Sequence, residues 1–261
     1  MRRSLISALF VTAFLLAGCG ASGGSETSSG TDASKATTST TATTTAAPKA
    51  PKAVTAAQLQ AILPKPADIG TDYRVKKSSG STASTTTTAV GQEPSASDKA
   101  FEEACPKAKK LDLMNDDPND DEVNIEFDTE DDRGFEVSLD PTPKGFSKDT
   151  MDQVIDAYNE CGEVSFTDPD TGKMTMQLSA KPLEGVGDYG ADVTLSADFD
   201  LFGQPTTIAF HGYLFVVNGV GVTVTASDGI NPATMANVPG DTKLIAPVST
   251  EMEQRVRSIT E

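Results

Sequence analysis

The chain has 261 residues, no tryptophan, 37% hydrophobic residues and a formal net charge of −17. So acidic a body is repelled by phosphodiester backbones and anionic headgroups, which excludes nucleic acid as a partner. The apolar content suffices for one core once the polar tracts are set aside.

The start, Met1-Arg2-Arg3, leads into an apolar run from Leu5 to Leu16 and then Leu16-Ala17-Gly18-Cys19-Gly20. Two arginines, a short apolar run and small residues before a cysteine have the layout of a secretory signal peptide. The run is too short to span a bilayer, which takes about 20 apolar residues. Leu-Ala-Gly-Cys resembles the bacterial lipobox, which implies cleavage after residue 18 and a diacylglycerol on the Cys19 thiol. The bland alternative is an ordinary signal peptide with a chance cysteine, and the A-x-A site it calls for is missing. Each buried CH₂ of an acyl chain adds about 0.8 kcal/mol, so two or three chains hold the acidic body at the membrane against charge repulsion. The expected address is the cell membrane, lipid-anchored and facing outside the cytoplasm.

With Cys19 taken by lipid, Cys105 and Cys161 remain as an even pair in an oxidising compartment, and a disulfide is expected. The loop it closes would restrict the unfolded chain by about 4 kcal/mol in the entropy treatment.

Residues 20–52 are mostly Gly, Ala, Ser and Thr and end Ala-Pro-Lys-Ala-Pro-Lys, without a large apolar group. Such a segment cannot offset its ordering entropy, so residues 19–53 read as a lipidated, disordered linker reaching roughly 30 Å. The folded domain is expected over 54–261. Thr55 caps a short helix, Ala56 to Leu63, stopped by Pro64 and Pro66. A turn through Asp68-Ile69-Gly70 leads into a strand near Tyr73. The tract 78–97, with Thr85 to Thr88 in a row, reads as a flexible insertion. Asp98 to Lys110 is expected to be helical, with Phe101, Ala104 and Cys105 on one face.

Two alternating stretches, Val123 to Phe127 and Phe135 to Leu139, predict a hairpin with Gly134 at its turn. Ser147 caps a helix whose Met151, Val154, Ile155 and Tyr158 follow i, i+3, i+4, i+7 spacing; Cys161 stays on that side and Gly162 stops the helix. From Glu163 the pattern is β: Glu163 to Asp168, Met174 to Leu178, Val193 to Phe199, Ile208 to Val217 and Val220 to Val224. Asn218-Gly219 between the last two predicts a tight hairpin turn. A last helix is expected from about Ser249, presenting Met252, Val256 and Ile259. Crossovers long enough for parallel pairing are missing. The fold class is therefore α+β: a twisted antiparallel sheet packed against a few helices, expected on one face, with one disulfide.

Catalytic constellations are scarce. His211 is the one histidine. It sits in a probable-strand pattern without a G-x-S-x-G elbow, and with two cysteines bridged the ligands of a zinc site are too few. A strand histidine with an ordinary partner is the reading. Ten carboxylates crowd residues 116–132, hard oxygen ligands of the kind that hold Ca²⁺, but the EF-hand spacing fails and a solvated acidic edge is the usual meaning. No metal, cofactor or catalytic residue is assigned.

The order of elements (lipobox, Ser/Thr tether, Ile62-Leu63-Pro64 through Asp68-Ile69-Gly70, the helix ending in Cys161, and Tyr213-Leu214-Phe215-Val216-Val217-Asn218-Gly219-Val220-Gly221-Val222) resembles a family of actinobacterial lipoproteins. These carry a sensor domain similar to the extracellular part of PknH-type receptor serine/threonine kinases. The resemblance implies a central cleft on an antiparallel sheet and ligand sensing outside the cell without transferable catalytic residues. A groove lined by Tyr158, Phe199, Phe210 and Tyr213 is the candidate site, with an unknown small molecule, lipid or protein as ligand. The alternative is a lipid carrier of the cell envelope, which requires a large apolar cavity on one sheet face.

Overall fold

A computed structural model of the chain describes residues 52–79, 99, 101, 103–107, 121–141, 147–168, 172–201, 203–231, 233–234 and 236–261. Cys19, residues 20–51 of the linker, the tract 80–97 and the stretch 108–120 lie outside the described residues.

The N-terminal helix α1 (Ala56–Ile62) starts at Thr55, whose side chain accepts from the Gln58 N–H while the Gln58 side chain accepts from the Thr55 N–H. This reciprocal box satisfies two of the orphan donors of a helix start. A single turn, α2 (Pro66–Ile69), then leads into β1 (Arg74–Ser79); Ser78 and Ser79, expected in the insertion, still belong to that strand. The hairpin of β2 (Val123–Asp128) and β3 (Gly134–Asp140) forms in unbroken register. Its turn is made by Thr129 to Arg133, with Asp132 at φ 59°. Gly134 opens β3 instead of sitting in the turn, and a Cβ there would lie 2.5 Å from Ser227 Oγ. Its smallness is thus needed by the neighbouring strand.

The long helix α3 (Lys148–Cys161) begins at Ser147, whose Oγ accepts from the Thr150 N–H at 3.1 Å, and ends where the Gly162 N–H donates to Tyr158 O at 2.9 Å. Gly162 has φ 50°, the left-handed region that favours glycine. Then follow β4 (Glu163–Asp168), β5 (Gly172–Pro182), β6 (Tyr189–Leu201), β7 (Gln204–Val217) and β8 (Val220–Ser227). A two-stranded ribbon, β9 (Gly229–Ile230) with β10 (Asn237–Val238), precedes a 3₁₀ turn (Thr242–Leu244) and the C-terminal helix α4 (Ile245–Thr260). The helix begins four residues before the expected Ser249. Pro247 falls in its first turn, where the missing N–H would have had no partner anyway.

Eight strands form one antiparallel sheet in the order β1-β2-β3-β8-β7-β6-β5-β4. The chain lays down β1 to β3, crosses through α3 to the far edge, and meanders back until β8 pairs with β3.

The helices pack on both faces of the sheet, a correction to the single face expected. On one face Leu178, Ala180, Ala191, Val193, Leu195, Phe210, Leu214 and Val216 meet Met151, Val154, Ile155 and Tyr158 of α3. Cys105 joins that core from the segment helical at Lys99, Phe101, Glu103 and Ala104, and its disulfide to Cys161 spans 5.5 Å between Cα atoms. Asn159 ties α3 to β5 with two bonds to Ala180, donating to its O at 2.7 Å and accepting from its N–H at 3.0 Å. On the opposite face, at the other end of the strand order, Val123, Ile125, Phe127, Phe135, Val137, Leu139, Phe215 and Val222 meet Leu59 of α1 and Ile245, Val248, Met252 and Val256 of α4. Burying such a side chain contributes roughly 1.5–3 kcal/mol. Arg255 of α4 bonds the Ile62 and Leu63 carbonyls and Asp68, giving the end of α1 the partners its last turn lacks.

Candidate functional site

Because the two helix layers are offset, each sheet face is apolar over one half and polar over the other. On the face carrying α4, the β5 and β6 half presents Lys173, Thr175, Gln177, Ser179 and Lys181 beside Asp192, Thr194, Ser196 and Asp198. The same strands turn Leu178, Ala180, Val193 and Leu195 into the α3 core, as period-two alternation requires. Hydroxyls pair along this shelf: Ser165 with Thr175 at 2.8 Å, Thr207 donating to Asp198 at 2.5 Å, and Ser179 donating to Thr194 at 3.4 Å.

At its inner margin stands the one charged group of the shelf that is nearly buried. Asp192 is 9% exposed; its Oδ1 lies 2.7 Å from His211 Nε2 and its Oδ2 3.2 Å from Lys181 Nζ. A buried carboxylate needs partners on both oxygens, and it has them. The His211 ring meets Tyr213 edge to face at 5.6 Å, and Thr194 is its partner across the β6–β7 ladder. With Nε2 directed at Asp192, Nδ1 is the ring nitrogen left to meet a ligand. Among the described residues no hydroxyl or thiol is bonded to His211.

The ordinary partner expected for His211 is Asp192. The sequence did not single out Lys181 or Asp192, because the strand readings ended at Leu178 and began at Val193, whereas β5 runs to Pro182 and β6 starts at Tyr189. The four aromatic residues expected to line a groove are not brought together. Tyr158 and Phe210 share the α3 core at 8% and 7% exposure, and Phe199 sits in a satellite with Met174, Ala197 and Ile208. Tyr213 packs against the opposite core, because three residues along a strand from Phe210 is the other face. Burial pushes the Tyr158 phenol pKa up, as expected of a core residue. Within the described part of the acidic stretch, Asp128 pairs with Arg74 at 2.7 Å and Asp131 with Thr129 and Arg133. Arg133 in turn bonds Asp241 at 2.8 Å, and Tyr73 donates to the same carboxylate at 3.1 Å. Among the described residues no three His, Cys, Asp or Glu converge on a metal position.

The chain matches no known family model, no curated protein and no solved structure.

Proposed function

We propose that this chain is an extracytoplasmic lipoprotein, anchored through Cys19, whose folded domain binds or senses a ligand without catalysis, as its resemblance to the PknH-type sensor domains implies. The observation that carries the reading is the polar shelf beside α4, where a sheet scaffold holds His211 against a nearly buried Asp192 and leaves exposed hydroxyl, amide and ammonium groups around it. A rigid sheet presenting convergent hydrogen-bonding groups is the usual basis of a specific site. The paired cysteines support an oxidising compartment. Among the described residues no helix is long and apolar enough to cross a membrane.

The lipid-carrier alternative requires an open apolar cavity. Phe127, Phe135 and Phe215 expose 1% or less, so no water-sized space lies against them, and this supports the sensor over the carrier. The single histidine is a one-residue reporter for a test. Its ring protons are followed by NMR while soluble cell-envelope extract is titrated into the detergent-solubilised full chain. A saturable shift that Asp192→Ala abolishes supports the shelf as the site; an unmoved His211 signal, with saturable shifts confined to core methyl groups, contradicts it.

A further inference from the structure

The β7–β8 turn carries an asparagine whose side chain does more than shape the turn. Asn218 (φ 49°) and Gly219 (φ 83°) both have the left-handed backbone of a two-residue hairpin. Asparagine and glycine reach it at the lowest steric cost. Asn218 also ties the turn to the rest of the molecule. Its side-chain amide donates to Thr260 Oγ1 at 2.9 Å, and its backbone N–H donates to Asp188 Oδ2 at 2.7 Å. Thr260 closes α4, is 1% exposed, and passes its own hydroxyl proton to Val256 O at 2.9 Å. The carbonyl of Thr260 accepts from the Lys52 N–H at 2.9 Å. Asp188 is held by Arg257 at 3.0 Å. The turn, the end of α4 and Lys52, the first described residue of the chain, therefore meet at one node.

We propose that Asn218 is a site of spontaneous deamidation gated by the last turn of α4. The residue after Asn218 is a glycine, where even an added Cβ would meet nothing within 4 Å, so no side chain of its own shields its backbone nitrogen. In the reaction the Gly219 nitrogen gives up its proton to hydroxide and attacks Asn218 Cγ. A nitrogen–Cγ bond forms, the Cγ–Nδ2 bond breaks, and Nδ2 takes a proton from water and leaves as ammonia, which returns the hydroxide. Water then opens the cyclic imide at either carbonyl, which yields aspartate or isoaspartate at 218. The gate is the Thr260 hydroxyl: while it holds Nδ2, the side chain cannot swing its Cγ onto the Gly219 nitrogen. Fraying of the helix end, the part of a helix that opens at least free-energy cost, releases it. The product cannot restore the node. A carboxylate at 218 has no hydrogen to donate to Thr260 and adds a negative charge at the negative end of the α4 dipole, in a turn whose backbone is already bonded to the Asp188 carboxylate.

The test uses the full lipidated chain in detergent, incubated at mildly alkaline pH and 37 °C, with the peptide containing residue 218 followed by mass spectrometry. Three chains are compared: the parent, Thr260→Val, which removes the hydroxyl and keeps the branched shape, and Val154→Ala, which weakens the α3 core on the other face of the sheet. The expected result is conversion at Asn218 in the parent, several-fold faster in Thr260→Val, with Val154→Ala close to the parent. Intact Asn218 in both the parent and Thr260→Val overturns the site. Equal acceleration by both substitutions shows a reaction that runs through global unfolding and overturns the gate. Asn218→Asp, made directly, is expected to raise amide exchange at residues 256–261; unchanged exchange there overturns the claim that the node depends on the amide.

Discussion

Ser249 is fully buried in α4, and its Oγ has no hydrogen-bond partner. It faces the core formed with Ile245, Val248, Met252 and Val256. A buried hydroxyl stripped of water and left unpaired costs about 1–3 kcal/mol. Ser249→Ala removes that cost, adds a few tenths of a kcal/mol of helix propensity, and takes away a single oxygen, so the space it leaves is too small for a large cavity penalty. The net expectation is a gain of about 1–2 kcal/mol, unusual for a core substitution, most of which destabilise. At about 2–4 °C per kcal/mol for a domain of this size, the melting temperature rises by roughly 2–8 °C. Urea unfolding followed by far-ultraviolet circular dichroism checks it: the midpoint moves up while the slope m stays constant. A midpoint lowered by the substitution refutes the reasoning, because it means that the hydroxyl is satisfied in the folded protein and its loss is felt.

Asn159→Ala leaves the Ala180 N–H and C=O without their side-chain partners, and is expected to cost about 2–3 kcal/mol in the same urea assay. Reducing the Cys105–Cys161 bridge, whose ends are 56 residues apart, is expected to remove about 4 kcal/mol; a midpoint unmoved by dithiothreitol contradicts that. The Lys65 N–H and then Arg255 hold the Asp68 carboxyl below its ordinary pKa. Its contribution is therefore present above the ordinary carboxylate range and is lost as pH falls through the lowered folded value. The gap in urea midpoint between the parent and Asp68→Asn is expected to be widest near neutral pH and to shrink as pH drops below about 4. A gap that persists into strong acid points to a cause other than the charge.

Local patterns were legible in the sequence and long-range ones were not. The i, i+3, i+4, i+7 spacing of Met151, Val154, Ile155 and Tyr158 identified α3 and its buried face, and alternation identified β2, β3 and their pairing. The even cysteine pair identified the bridge. By contrast, which face each helix covers depends on β3 pairing with β8 across nearly 90 residues of chain, and no local periodicity encodes that. The shelf is invisible for the same reason, since Lys181, Asp192 and His211 come from three strands. One error was avoidable: Phe210 and Tyr213 differ by an odd number within one strand, so alternation alone assigns them to opposite faces. The start assigned to α4 came four residues late, although the first turn of a helix accommodates a proline such as Pro247.

Cys19 carries the proposed role, because a domain free in solution would sit in a different place and answer to a different partner. The direct measurement is membrane partitioning of the parent chain against Cys19→Ser, expressed in a bacterium with a lipoprotein-processing pathway and separated by ultracentrifugation and detergent phase separation. Lipid attachment predicts that the parent follows the membrane and detergent phases and bears the mass of an acylated chain beginning at residue 19. It predicts that Cys19→Ser leaves them. Undiminished membrane association of Cys19→Ser contradicts the anchor, and with it the place and manner of action proposed for this protein.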